Sequence, residues 1–515
     1  MVQSPDRIEA ALALSRFGLG ARQGDLEAIS SDPRGALKEE IANRTVPSPA
    51  GEELKPTAEL LNDLYAFQEA QKEMRERKAA EGISTPAGGV PQPPSSGEQP
   101  GKADAMKAEA LSSSSSMAGE KAGSAAGTGA PGTPMKGANE PKPVVPFPQR
   151  VFLAEAKARF SGTIHAPRIG FGERLAMFWA NHFAISAAKG PNVRVIAGAF
   201  ERETIRPHVF GRFADMLLAV ETHPAMLFYL DNQQSFGPNS PAGQNRKRGL
   251  NENLAREILE LHTLGVNGGY TQDDVTSLAR IITGWTVVGR QGRLGTPGSF
   301  VFFANAHEPG DQQLLGNIYA EAGFEQGKAA LLHLARHPAT AAHLAQKLAR
   351  HFVSDDPPSA LVDKLAKTFM ATDGDLAAVS TALVEAKESW TPQLAKVRSP
   401  LEFSIAILRA TGAKPEPQPV LGGLYVMGQP YWQPSGPNGF SDLVDAWASP
   451  EGLKMRMDIA NVAATKGADY FDPPDFIETR LGPLLSKETR SAVGRAESRA
   501  QGLAIAFMSP EFQRR

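Results

Sequence analysis

The polar residues of NENLAREILELHTLG, residues 251–265, are the densest candidate chemistry in the chain: Asn251, Glu252, Asn253, Arg256, Glu257, Glu260 and His262. Glu257 and Glu260 stand about one helical turn apart, so they form a carboxylate pair for a divalent metal or for acid–base work. Arg256 with Asn251 and Asn253 offers the fixed hydrogen-bond geometry that holds a polar or anionic ligand. At 100° per residue, Glu252, Asn253, Arg256, Glu257 and Glu260 share one side of a helix. Leu254, Ala255, Ile258, Leu259, Leu261 and His262 share the other. Glu252–Arg256 and Arg256–Glu260 are both i,i+4 pairs, so an ion-pair ladder is expected. His262 faces away from Glu260 and is expected in the core. The spacing matches neither the two-His helix of a zinc protease nor the Glu-x-x-His of a di-iron bundle. A solvated or purely structural polar face remains the competing reading.

Other segments supply further candidates. His182 closes a helix after Trp179 and Asn181, and reads either as a structural imidazole or as a base or ligand. His307 stands at a hairpin end before Glu308, Pro309 and Gly310, where exposed loops carry function. The sharpest expectation is that the polar face of 251–265 packs against Asn181–His182 and the His307 hairpin to make one site. His182, Arg256, Glu257, Glu260 and His307 are then the catalytic candidates, and Trp179, Asn181, Asn251 and Asn253 the ligand-binding ones. His337, before Pro338, reads as a contact at the start of a helix, with Thr340 as its N-cap. His343, Lys347 and His351 read as a surface stripe. Tyr431 and Trp432 in a Pro/Gly loop either stack on a flat ligand or seal a core edge. GFGERLA (170–176) lacks the lysine of a phosphate loop, and no Gly-x-Ser-x-Gly elbow occurs.

The elements that must position these groups are helical. TAELLNDLYAF, GERLAMFWANHF, ATAAHLAQKLARHFV and PLEFSIAILRATG all carry apolar residues at helical spacing. Thr271 with Asp274 reads as a capping box. GSFVFFANAHEPGDQQLLG, with alternating aromatics and then Pro-Gly, reads as a hairpin. Residues 81–146 are rich in Ala, Gly, Ser and Pro and cannot bury enough apolar area to offset ordering, so they are expected to be a disordered insertion. The predicted architecture is all-α, a multi-helix body with one small β-hairpin and that insertion. Its parts are an N-terminal helical segment (1–80), a central region with the polar block and hairpin (147–325), and a C-terminal helical region (326–515). Net charge is -2, which argues against a nucleic-acid surface, and the absence of cysteine excludes thiolate chemistry. The start of the chain lacks the pattern of a secretory signal, and no apolar run spans a membrane, so a cytoplasmic location is the default expectation.

LSRFGLGA, RLAMFWANHFAIS, HPAMLFYLDN, the long Asn251–Thr286 block, the F-x-F hairpin, ARHPATAAHLAQKLARHFV and the closing MSPEFQRR occur in that order. Together they resemble the bacterial family called domain of unknown function 1800, over nearly the whole chain apart from the insertion. The resemblance implies no settled activity and supplies no catalytic residues. It implies a neighbour of the family called domain of unknown function 1501, which is similar to alkaline-phosphatase-type hydrolases and often exported, so co-export to the periplasm is a second expectation. The chain departs from the family in the insertion and in GLYVMGQPYWQPSGPNGFSD, where Tyr431–Trp432 and a Pro-rich turn replace the usual Gly-Trp. Two functions follow as alternatives: a metal-assisted hydrolase built on the Glu/His/Arg/Asn set, or a non-enzymatic helical partner of the neighbouring hydrolase-like protein.

Overall fold

Local start signals place most of the helices. Thr271 accepts the amide of Asp274 while Asp274 accepts that of Thr271, completing the expected capping box, and Ser399 with Glu402 makes another. Two His-Pro pairs work differently: His223 and His337 accept the Ala225 and Ala339 amides through Nδ1 while proline fills the first helical position. The cap before Pro338 is therefore His337 itself, and Thr340 instead donates to the Leu334 carbonyl.

The structure is a computed structural model and describes residues 5–80, 145–246 and 249–515. The expected insertion lies almost entirely outside the described residues. The elements that matter here are α1 (Phe147–Ile164), α2 (Phe171–His182), α3 (Phe213–Glu221) and α4 (Asn253–Glu257). The chain runs from α4 through a π turn at Ile258–His262 into α5 (Gln272–Ile281). Four short strands follow, β1 (Trp285–Val287), β2 (Phe300–Phe302), β3 (Gln312–Leu314) and β4 (Asn317–Tyr319). Then come α6 (Pro338–Phe352), α7 (Pro400–Thr411) and α8 (Pro417–Val426). The fold is helical, and among the described residues its strands form two antiparallel pairs, β1–β2 and β3–β4. The aromatic strand Phe300–Phe302 pairs back to Trp285–Val287, not forward across the Pro-Gly turn. No described helix is long and apolar enough to cross a membrane.

The described residues from 5 to 69 and from 146 to 515 form one compact unit. Its core is mostly aliphatic, with aromatic clusters set into it. Phe17 stacks on Phe352 with ring centroids 5.8 Å apart, and Trp179 packs against Phe178, Phe183 and Phe213. Buried arginines stitch distant segments together by donating to bare carbonyls. Arg16 reaches Ser389 and Gln393, and Arg409 reaches Gly20 and Arg168. A guanidinium carries five donors, so one side chain satisfies several carbonyls that have no helical partner.

Candidate functional site

The residues of 251–265 separate by role. Asn251 caps the start of α4 by accepting the Asn253 amide, and its own amide nitrogen reaches the carbonyls of Leu230 and Asp231. Asn253 is exposed. Glu252 accepts from Thr276, Gln272 and Arg256, joining α4 to α5. Half of the expected ladder forms, since Arg256 lies 3.3 Å from Glu252 with its side chain 40% exposed. Arg256 then turns to Gln272, and Glu260 accepts from the Tyr270 hydroxyl. The π turn after Glu257 rotates less per residue than an α turn and carries Glu260 away from the Arg256 row. Glu257 is half-buried, and burial raises its carboxyl above the ordinary range. His262 is fully buried, and its Nδ1 lies 2.8 Å from the equally buried Glu221 at the end of α3.

His307 does not join this block. Its Nδ1 donates to the Thr283 carbonyl at 3.0 Å, while Glu308 accepts from Asn239, so the pair ties the hairpin region to the 236–240 loop. His182 takes a third position, at the end of α2. Its Nε2 donates to the His262 carbonyl at 3.2 Å, and Trp179 meets its ring edge-on. The structure thus brings the 251–265 segment to His182 through the carbonyl and the ring of His262, whose centroid lies 6.2 Å from that of His182. It does not gather Arg256, Glu257, Glu260 and His307 around His182. Among the described residues, no three His, Asp or Glu side chains are placed to hold one metal ion.

A cavity of about 320 Å³ opens elsewhere. Asn181 and His182 from α2 line it, together with Arg159 and Phe160 of α1, Lys347 and His351 of α6, Leu401 and Ile405 of α7, and Tyr431, Trp432 and Asp442 of the following loop. Of the catalytic and ligand-binding candidates expected to join the 251–265 block, Asn181 and His182 reach this cavity, and so do Tyr431 and Trp432 of the Pro/Gly loop. Asn181 is spent on structure, since its side chain donates to the Phe440 carbonyl at 2.9 Å and accepts the Phe440 amide at 2.8 Å. It clamps the loop as a strand partner would. Gly439, at φ +72°, makes the clamp possible: a Cβ there would stand 2.4 Å from the Asn181 carbonyl oxygen. Trp432 holds φ +51°, a genuine outlier for so bulky a residue, and its carbonyl accepts the Ala187 amide at 2.8 Å. Its ring meets Phe152 edge-on, and Tyr431 packs on Phe160. Tyr431 is 7% exposed and seals a core edge while lining the cavity.

The stripe His343–Lys347–His351 is not a surface. His351 is buried, and the other two are half-buried. His343 donates to the Leu261 carbonyl at 3.1 Å. His351 Nδ1 lies 3.0 Å from the Asp442 carboxylate, and its Nε2 has no partner among the described residues. Arg515 stands 3.4 Å from the other oxygen of Asp442, and Lys396 donates to the Asp442 carbonyl. Burial alone would raise the Asp442 carboxyl, but His351, Arg515 and Lys396 outweigh it and hold it at about 2. Burial lowers His351, against the pull of Asp442, so a neutral imidazole donates Nδ1–H to a carboxylate and leaves a lone pair on Nε2. His182 is also neutral, lowered well below its usual range by burial and by Lys347, and its Nδ1 is likewise unpartnered. Burial pushes the Lys347 amine down to about 8, with Asp442 opposing the shift. Lys347 has neither a hydrogen bond nor an ion pair among the described residues.

Fold and cavity together define a class: a helical protein with a half-open, largely apolar pocket into which several titratable groups are set. The chain belongs to the family described as "Protein of unknown function (DUF1800)", whose model matches residues 12–514. No curated protein and no solved structure matches it.

Proposed function

We propose that the protein is an acid–base enzyme acting on a small polar substrate held in this cavity. The observation that carries the reading is the His351–Asp442 pair with a free Nε2, lining the same cavity as the unpaired Lys347. Perturbed titratable groups converging in a concave site are the physical signature of catalysis. Asp442 fixes the His351 tautomer, His351 takes a proton from the substrate or from a water attacking it, and Lys347 meets the substrate's polar head. Phe178, whose ring lies 5.2 Å from that of His351, and Trp432 supply apolar walls. This reading keeps the enzyme alternative of the sequence but moves its centre from Glu257, Glu260 and His307 to α6 and the 431–442 loop. The partner of the domain of unknown function 1501 family stays a separate proposal, tested by co-purification.

A substrate-independent experiment tests the enzyme reading. A mixture of small metabolites is incubated with the protein in D2O, and mass spectrometry reads deuterium uptake or a change of mass. At least one compound should change, and the rate should fall about 100-fold or more in His351→Gln and Asp442→Asn, within the range set by general acid–base catalysis. No change in any compound, or equal rates in folded variants, would sink the reading.

A further inference from the structure

We propose that Lys347 is a nucleophilic amine that captures an aldehyde or ketone substrate as an imine. This rests on the acid–base reading of the same cavity and names its substrate class. The geometry begins with what Lys347 lacks. It lines the cavity from the middle of α6, half-buried, with no carboxylate within ion-pair distance and no hydrogen-bond partner among the described residues. Lysines that serve structure end on a carboxylate or a carbonyl, as Lys396 does with Asp355 and the Asp442 carbonyl. The charged and titratable groups around Lys347 are His343, Arg350 and His351 on its own helix, His182 on α2 and Asp442 on the loop. Asp442 is already engaged by His351 and Arg515. The two imidazoles at the cavity, His182 and His351, are neutral and each has one unpartnered nitrogen. Desolvation and the neighbouring Arg350 guanidinium favour the free-base amine, and the imidazole lone pairs are placed to accept a proton during the reaction.

The step balances without an added oxidant or reductant. The amine lone pair adds to the carbonyl carbon, and the carbonyl π electrons move to oxygen, which takes a proton. The added nitrogen loses a proton to a neighbouring imidazole. The resulting carbinolamine loses its hydroxyl as water once that oxygen is protonated, leaving a C=N bond to Nζ. The protonated imine draws electrons from the adjacent carbon, so a proton there becomes acidic enough for His351 Nε2 to remove.

The test uses the intact protein. It is incubated at pH 7.5 with pyruvate, glyceraldehyde or benzaldehyde and sodium cyanoborohydride, and reduced adducts are mapped by peptide mass spectrometry. An amine at about 8 holds roughly 200 times more free base at that pH than an ordinary lysine. At least one probe should therefore modify Lys347 at least 10-fold more than the exposed Lys38 and Lys189. A parallel arm applies trace acetic anhydride across pH 6 to 11, reading the amine itself. If Lys347 acetylates with a midpoint near 8 but carries no adduct enrichment with any carbonyl probe, the imine proposal is overturned and the acid–base reading stands. If Lys347 acetylates only with an ordinary lysine midpoint, or not at all, and carries no adduct, the imine proposal is overturned, and the acid–base reading is decided separately by the His351→Gln and Asp442→Asn rates. The primary readout needs no variant, so a misfolded mutant cannot obscure it.

Discussion

Glu221 and His262 are each fully buried, and each has one unpartnered atom, Glu221 Oε2 and His262 Nε2. Neither side chain can be removed without leaving the other's polar atoms in an apolar environment. His262→Leu keeps the shape of the ring roughly but strands a carboxylate, and breaking a buried pair on one side costs about 3–5 kcal/mol. Urea denaturation should show that loss, and a loss below about 1 kcal/mol would mean that Glu221 is not held as a buried charge. Arg256 is the opposite case. Its side chain is 40% exposed and its partners Glu252 and Gln272 are reached by solvent, so it belongs with surface pairs worth about 1 kcal/mol or less. The two residues lie in the same heptapeptide stretch, and only their packing separates them.

At the scale of elements, the loop from Gln429 to Leu443 makes the cavity. α2 and α6 present His182, Lys347 and His351, but the loop covers them and brings Asp442 to His351. The reciprocal pair between Asn181 and the Phe440 backbone anchors it to α2, beside the bonds that His351, Arg515 and Lys396 make to Asp442. Gly439→Ala drives a methyl group into the Asn181 carbonyl and also strains a left-handed backbone, which together cost on the order of 1–3 kcal/mol. The loop should then lift, and Lys347 acetylation should shift its midpoint upward toward that of a solvated lysine. A Gly439→Ala protein that labels at Lys347 like the wild type would show that the clamp does not set the cavity. The strained φ of Trp432 belongs to the same loop, where it is held by the bond from the Ala187 amide to its carbonyl.

For the whole molecule, burial of histidine couples folding to pH. His182, His343 and His351 are all lowered by burial, His343 to about 4. Between 6.5 and these lowered values the unfolded chain binds protons that the native chain refuses. The contribution of these imidazoles is therefore full above about 6.5 and falls as the pH drops toward 4. Asp442 adds a second loss, because its folded value of about 2 lies below its unfolded one; that contribution disappears as the pH falls from about 4 toward 2. Melting temperatures at pH 7.5, 6.5, 5.5 and 4.5 should decline steadily below 6.5. A flat profile down to 4.5 would contradict burial of the three imidazoles. The same burial pattern ties chain ends together: Arg515 bonds Glu402, which also pairs with Arg174, so loop, α2 and α7 share one charge network.

Periodicity and local chemistry determined the helices, the Thr271 capping box and the core position of His262, because each depends on contacts within one or two turns. The apolar stripe Leu254, Ile258 and His262 is legible at 100° per residue, and the structure buries all three. The motif order likewise carried the family, since it requires only the linear chain. What tertiary structure decided was which polar stripes are wet. His343, Lys347 and His351 stand at i, i+4 and i+8 with no local sign of burial; His343 meets the Leu261 carbonyl some eighty residues earlier, and a loop some ninety residues later covers His351. The polar block of 251–260 has the richer composition yet turns mostly to α5, because its partners Gln272 and Thr276 lie close in sequence and satisfy it without a cavity. A side chain's chemistry is written in its type, but its protonation and reach depend on desolvation by residues far along the chain, and spacing within one helix does not encode that.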